Sequence, residues 1–370
     1  MKHTGALRAA SVWAAGVATL GFTLAAYGHT RSAAAPSRTA AQTPAAQSSN
    51  PSGYHLIKTI PVPGNTFWDY LKFQPSTRRL FIAHGNHVSV VNVDTGKVVA
   101  EIGGMQGIHG VVLAPEFNRG FVTDGRAAKV WIFNLRTLKV IGSAPADRDA
   151  DGDVYDPASK RVFTMNGDSH TSTVIDARTG KVVGHIALGG GPEFPVADGR
   201  GHVYANIETT SEIVDINSRT MKIVHRWPLA PGQHPSGLAI DARHHILFSG
   251  CHNQKMVIMN AENGKILATV PIGRGVDAVR FDPGTGDAFS SNGMDANLTV
   301  VHEDSPTRFH VVANVSTERG ARTMALDPTT HEIFLVTAKM ERVAHVPAGA
   351  PPWRRFRPVP NSFHVLVFGR

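Results

Sequence analysis

The stretch Val111-Val112-Leu113-Ala114-Pro115-Glu116-Phe117-Asn118-Arg119-Gly120-Phe121-Val122-Thr123-Asp124 decides how the chain is read. A short apolar run meets a proline-led turn, and six residues after Pro115 an aromatic opens a second apolar run. Proline pre-sets the backbone angle of such a turn. The same grammar recurs on Pro75, Pro115, Pro157, Asp198, Ala242, Pro283 and Pro328, at steps of 40, 42, 41, 44, 41 and 45 residues. Six residues after each anchor stand Phe81, Phe121, Phe163, Tyr204, Phe248, Phe289 and Phe334. The chain holds 17 Phe and 5 Tyr, too few for seven coincidences at one register.

Each unit continues with an alternating run, as in Val88-Ser89-Val90-Val91-Asn92-Val93, and a polar turn, several of which end in lysine (Lys97, Lys139, Lys181, Lys222, Lys265). A fourth run follows, rich in Val and Ile. Four short strands per repeat of about 42 residues, with no helical period between them, make a propeller blade. The expected fold is therefore all-β, a seven-bladed β-propeller. The last repeat lacks its fourth strand after Phe363–Phe368, and Tyr54–Ile60 is a strand without a repeat. The N-terminal strand is expected to complete blade seven, which closes the ring and hides its free edges.

The remaining chain divides by composition. Residues 1–30 read as a signal peptide or N-terminal anchor: Lys2 and Arg8 precede an uncharged apolar run from Ala9 to Gly28. Residues 31–52, rich in Ala, Ser, Pro and Thr, read as a flexible linker. The propeller occupies 53–370, with a Pro/Arg-rich insertion at 339–361 in blade seven. The expected location is the periplasm, with no stable membrane insertion beyond the N-terminal segment, and the expected state is a monomer. The net charge of +8, lowered by two if Lys2 and Arg8 leave with the leader, fits either an acidic partner or simply a soluble basic protein. Cys251 is the only cysteine, so there is no intrachain disulfide and no cysteine cluster for zinc or iron–sulfur.

Phe121-Val122-Thr123-Asp124 and Phe163-Thr164-Met165-Asn166, with Val88–Val93 and Thr95-Gly96-Lys97-Val98, resemble the YVTN-type propeller repeat. The insertion followed by a strand at the C-terminus is similar to bacterial YncE-family propellers. The resemblance covers about residues 53–370. It implies the fold and leaves the activity open, because fold alone does not set function.

The repeat register names a candidate site. Six residues before the anchors, where the innermost strands begin, stand Asp69, His109, Asp151, Pro192, Ser236, Asp277 and Arg322, with Trp68, Asp153, Glu193 and His234 beside them. Two and four positions further the strands are mostly apolar, so polar groups concentrate at the channel mouth. Such a ring is either a pocket for a small ligand or metal ion, or the polar lining of a water-filled channel. No cofactor is implied, and whether a metal binds is left open. Asp124, Asn166 and Asn292 precede glycines and read as turn caps, and His244-His245 as a solvated turn. His84 takes the place of that turn asparagine, and Cys251 with His252 does not make a nucleophile pair, because neighbours in a strand face opposite ways. In the insertion, Trp353, Arg354, Arg355 and Arg357 are candidates for holding a polyanion or nucleic acid, against the alternative of a proline-rich flap. A binding or scaffold propeller for an unknown small ligand or protein partner is the leading expectation. The alternative is a metal- or quinone-dependent enzyme (lyase, hydrolase or dehydrogenase) working at the mouth, and polyanion binding is the third.

Overall fold

The structure is a computed structural model that describes residues 50–64, 67–346, 349 and 352–370, without the side chains of residues 352 and 353. The leader at 1–30 and most of the linker fall outside the described residues. Asn50–Ser52, assigned by composition to the linker, instead form a turn in which the Ser52 hydroxyl donates to Asn50 Oδ1 at 2.6 Å.

Seven four-stranded antiparallel sheets follow one another along the chain, and no α-helix occurs among the described residues. Blade one runs Leu71–Gln74, Arg79–His84, His87–Asn92 and Lys97–Ile102, and blades two to six repeat this meander. Blade seven takes Met324–Leu326, Ile333–Thr337 and His364–Gly369 from the C-terminal end, and His55–Pro61 from the other. Ile60 pairs with Val365 and Leu56 with Phe368, so the expected closure is the one observed.

The repeat works through local stereochemistry. Three residues after every anchor the backbone is left-handed: Arg78, Asn118, Lys160, Gly201, His245, Gly286 and His331 all have positive φ. In blades one to five the carbonyl of that residue accepts the N–H of the residue just past the third strand, for example Val93 to Arg78 at 3.0 Å, and in blade six it accepts the N–H of Glu303, inside a longer third strand. Asp156, Asp198, Asp241, Asp282 and Asp327 cap the same turn by accepting backbone N–H groups. The aromatic six residues after the anchor is buried in every blade. Asn206 lies one position before the usual asparagine, yet its hairpin is regular. Its amide reaches the Ser236 and Gly237 carbonyls of the next blade at 2.8 and 3.1 Å.

On the turn face a cation reinforces the closing seam. The Arg78 guanidinium, from blade one, donates to the buried Asp327 and, at 3.0 Å, to Glu332, both in blade seven, and also to Asp94 at 3.0 Å. These carboxylates hold Arg78 above its already high pKa despite the opposing effect of burial.

Ile60 is 1% exposed and packs between blades seven and one, whereas Leu56 on the same strand is 46% exposed. Ile60→Ala is expected to cost about 2–5 kcal/mol and Leu56→Ala within about 0.5 kcal/mol of nothing. Urea unfolding of both variants checks this, and equal costs would contradict the closure.

Candidate functional site

The innermost strands converge on the channel, and small residues let them approach. At Gly110 an added Cβ would stand 2.4 Å from Asp153 Oδ1. The strand starting at Ile108 hydrogen-bonds directly to blade one, Tyr70 N–H to the His109 carbonyl at 3.2 Å. A register shift falls at the ring position in blades two to six, between Ile108 and Val111 around His109 and between Ala150 and Asp153 around Asp151, for instance.

This packing brings most of the expected mouth residues together. His109 Nδ1 lies 2.7 Å from Asp69 Oδ2 and 3.5 Å from Asp151 Oδ1. Arg322 Nε donates to Asp277 Oδ2 at 2.6 Å, and its Nη2 donates to the Trp68 carbonyl at 2.9 Å and lies 3.9 Å from Asp69 Oδ1. The Ser236 hydroxyl donates to Asp277 Oδ1 at 3.1 Å. Over the ring stands Phe67, 53% exposed, with the Arg322 guanidinium 4.9 Å from its centroid and the His109 ring at 6.3 Å. Phe67 escaped the sequence reading because it lies outside the repeat register.

Three expected members are placed elsewhere: Trp68, His234 and, in the chamber below, Asp153. The Trp68 indole is 4% exposed and packs on Phe363 in the core between blades seven and one, so only its carbonyl serves the mouth. His234 is exposed, with a left-handed φ of 50°. Its N–H donates to Ser211 Oγ, and its ring joins none of the mouth ion pairs.

Acids outnumber cations at the mouth, and burial together with their mutual repulsion raises several of them. Burial, with the charges of Asp69, Asp149 and Asp277, pushes Asp151 up to about 7 against the pull of His109. Burial and the charges of Asp151, Asp277, Glu208 and Asp69 hold Glu193 well above the carboxylate range. Burial also raises Asp69, although His109 and Arg322 oppose it. Burial works against the His109 cation, but the Asp69 hydrogen bond and the nearby carboxylates outweigh it and raise His109 to about 9. These groups titrate as a set.

Below the ring the channel is closed. Tyr70 of blade one meets Phe194 of blade four edge to face at 4.9 Å, and the Arg280 guanidinium of blade six lies 4.5 Å from the Phe194 centroid. Beyond this plug a cavity of about 800 Å³ runs to the turn face, past Phe73, Leu113, Val196, Ile240, Phe281 and Leu326. Lys72, Arg280 and Asp153 also line it. Asp153, expected to flank the mouth, thus belongs to this lower chamber. Burial pushes it well above the carboxylate range, while Lys72 pulls it down. Lys72 faces the chamber, accessible yet enclosed, and burial and Arg280 lower its pKa. The mouth is therefore a shallow acidic bowl, and the larger cavity is a separate, mostly apolar space.

Asp124 accepts from the N–H groups of Gln106, Gly107 and Ala127, and Asn166 and Asn292 bond within their own hairpins. His84 is buried against Phe363 at 4.2 Å and held down to about 4 by burial and His87. The Cys251 thiol is buried, and burial raises it to about 11, which disfavours the thiolate.

The insertion folds back on the mouth face as a two-stranded ribbon, Met340–Arg342 against Phe356–Pro358. The Arg319 guanidinium lies 4.4 Å from the Phe356 centroid. Arg354 and Arg355 are exposed, while Arg357 donates to Glu341 at 2.6 Å. The Trp353 side chain lies outside the described residues.

No known protein-family model matches this chain. No curated protein matches it either. Solved structures do. The structure of U3-55K superposes with a TM-score of 0.69 at 9% identity, covering 85% of this chain and 98% of that one. The WD40 repeats of RRP9 give 0.69 at 8% identity over 86% and 98%. A chain of the mitotic checkpoint complex gives 0.67 at 14% identity over 90% and 98%. At these identities the likeness shows the fold: this chain is a seven-bladed propeller with WD40-like neighbours.

Asp151 titrates near 7 in the folded protein, against about 3.9 in an unfolded chain. Its contribution to stability is full below the unfolded value and is lost as pH rises through 7. Asp151→Asn is expected to match the parent at pH ~4 and to exceed it by about 1–3 kcal/mol at pH ~8. Urea unfolding at both pH values measures this, and a variant less stable at the higher pH would refute the crowding of acids at the mouth.

Proposed function

We propose that this chain is a non-catalytic binding propeller that works outside the cytoplasm and receives a cationic group of a partner protein, a lysine or arginine side chain, in its acidic mouth. The observation that carries this reading is the charge count of the bowl. Among the described residues, Asp69, Asp151, Glu193 and Asp277, from four blades, have His109 and Arg322 as their cations. An incoming cation would offset the burial and the mutual repulsion that raise Asp151 and Glu193, and Phe67 offers a ring face to a guanidinium. Precedent for the fold as a partner surface comes from the neighbour solved in a mitotic checkpoint complex. Export is supported by Lys2, Arg8 and the apolar run that follows. Kinship with YVTN-type and YncE propellers is supported by Phe121-Val122-Thr123-Asp124 and Thr95-Gly96-Lys97-Val98.

One observation favours a metal-dependent enzyme instead: Asp69, His109 and Asp151 bring ligand atoms within 4.8 Å of one another. Against it, Asp69 is already shared by two cationic groups, His109 and Arg322. The polyanion reading rests on Arg354 and Arg355, since Glu341 engages Arg357.

A tetralysine peptide titrated calorimetrically at low ionic strength tests the proposal. Binding is expected to the parent protein and to be weakened about tenfold or more in Asp151→Asn/Glu193→Gln. Equal binding by that double variant, or no binding by the parent, would sink the mouth as the site. Turnover of a small substrate abolished by the same changes would establish an enzyme.

A further inference from the structure

Glu303 breaks a rule that the other blades keep. It occupies the seventh position from the start of the third strand, which in blades one to five lies just past that strand, and its N–H bonds to the left-handed turn residue, here Gly286 at 2.8 Å. The equivalent positions are Val93, Leu135, Ala177, Ser218 and Ala261, all apolar or small and buried. In blade six a carboxylate stands there, with its side chain only 4% exposed. The third strand, Asn297–Ser305, has nine residues where the third strands of blades one to five have six, and this extension carries Glu303 against blade five. Positions that defy a local rule without a local gain are where function is sought.

What meets Glu303 is a ligand set. His244, on the turn of blade five, places Nδ1 2.7 Å from Glu303 Oε1 and 2.7 Å from Asp241 Oδ2. A neutral imidazole offers at most one proton at Nδ1, and a single N–H cannot point at two oxygens at that range. Asp241, like Glu303, has a side chain 4% exposed. Asp241 Oδ1 accepts the Arg243 N–H at 2.9 Å, but Glu303 Oε2 is buried with no hydrogen-bond partner. Two buried carboxylates thus face one imidazole nitrogen, with one carboxylate oxygen unsatisfied. A buried polar atom left unpaired costs about 1–3 kcal/mol.

We propose that Asp241, His244 and Glu303 form a binding site for a divalent first-row transition ion of the zinc class, which clips blade five to blade six on the turn face. The ligand atoms lie within 4.8 Å of one another. One imidazole and two carboxylates suit such an ion, with bonds of about 2.0–2.2 Å. Tetrahedral coordination at that length spaces ligand atoms about 3.3 Å apart, so the two oxygens withdraw slightly from Nδ1, which a turn-borne histidine and a flexible glutamate allow. His244 is about a third exposed (36% for the side chain), which leaves solvent the fourth position. The ion displaces the proton of His244, supplies Oε2 with a partner, and cancels the charge of two carboxylates that the imidazole alone does not neutralise. The site is separate from the mouth, which lies at the opposite end of the inner strands.

The test uses the full chain, stripped with a chelator and titrated with cobalt(II), read by visible absorption and by displacement with zinc(II). One equivalent is expected, with affinity reduced at least about tenfold in Glu303→Gln and in His244→Ala and unchanged in Asp151→Asn. Zinc is also expected to raise the melting temperature of the parent and not of the first two variants, because a ligand of the folded state alone stabilises it. His244→Ala lies on an exposed turn and keeps the test decisive should Glu303→Gln fail to fold. Absence of a stoichiometric ion, retention of the full affinity in His244→Ala, or loss in Asp151→Asn with retention in Glu303→Gln would each overturn the proposal.

Discussion

The pairing of His55–Pro61 with His364–Gly369 is the constraint on which the molecule depends. A propeller has no single core. It has a series of interfaces between blades, and each is stable only if the next blade is held in place. Seven apolar clusters run through the described residues, and the one that joins blades seven and one contains Ile60 and Val62 beside Leu71, Leu80 and Phe334. Without the N-terminal strand, blade seven would expose a sheet edge and this cluster would lose one wall. With no disulfide available to close the ring, backbone pairing, the shared apolar cluster and the polar contacts of Arg78 and Arg322 join the two ends.

The mouth inherits its geometry from that closure. None of its ion pairs is internal to a blade: Asp69 and His109 come from blades one and two, and Asp277 and Arg322 from blades six and seven. Arg322 also reaches back across the seam to the Trp68 carbonyl. A group of acids that repel one another is tolerable here because the inner strands are fixed by hydrogen bonds between blades, such as Tyr70 to His109 and Ala278 to Arg322. The Tyr70–Phe194 contact then divides the channel, so that charge gathers on one side and apolar surface on the other. The lower half is mostly apolar, with Lys72, Arg280 and Asp153 as its charged groups.

Much of the fold was legible because its causes are local. A left-handed residue after a proline-led turn, an aromatic at a fixed offset and a period near 42 are properties of a dozen neighbouring residues, repeated. The candidate ring was legible for the same reason, since Asp69, His109, Asp151, Asp277 and Arg322 share one offset from the anchor. Where the reading missed, the cause was contact between blades. Trp68 sits beside the ring in sequence, but its indole fits the gap next to Phe363. Asp153 follows Asp151 by two, yet the register shift in its strand sends it into the lower chamber. His244 stands on an exposed turn as expected, but its partner Glu303 is 59 residues away and leaves no local sign.

The sequence by itself determined the number of blades, the order of strands within each and the segment that closes the circle. These follow from side-chain periodicity and turn stereochemistry, which act over a few residues. The tertiary structure alone decided which polar groups meet, that an aromatic plug closes the channel, and that a glutamate from blade six is buried against a histidine of blade five. Those outcomes depend on how neighbouring blades pack, and distances of a few ångströms across an interface leave no periodic trace in the chain.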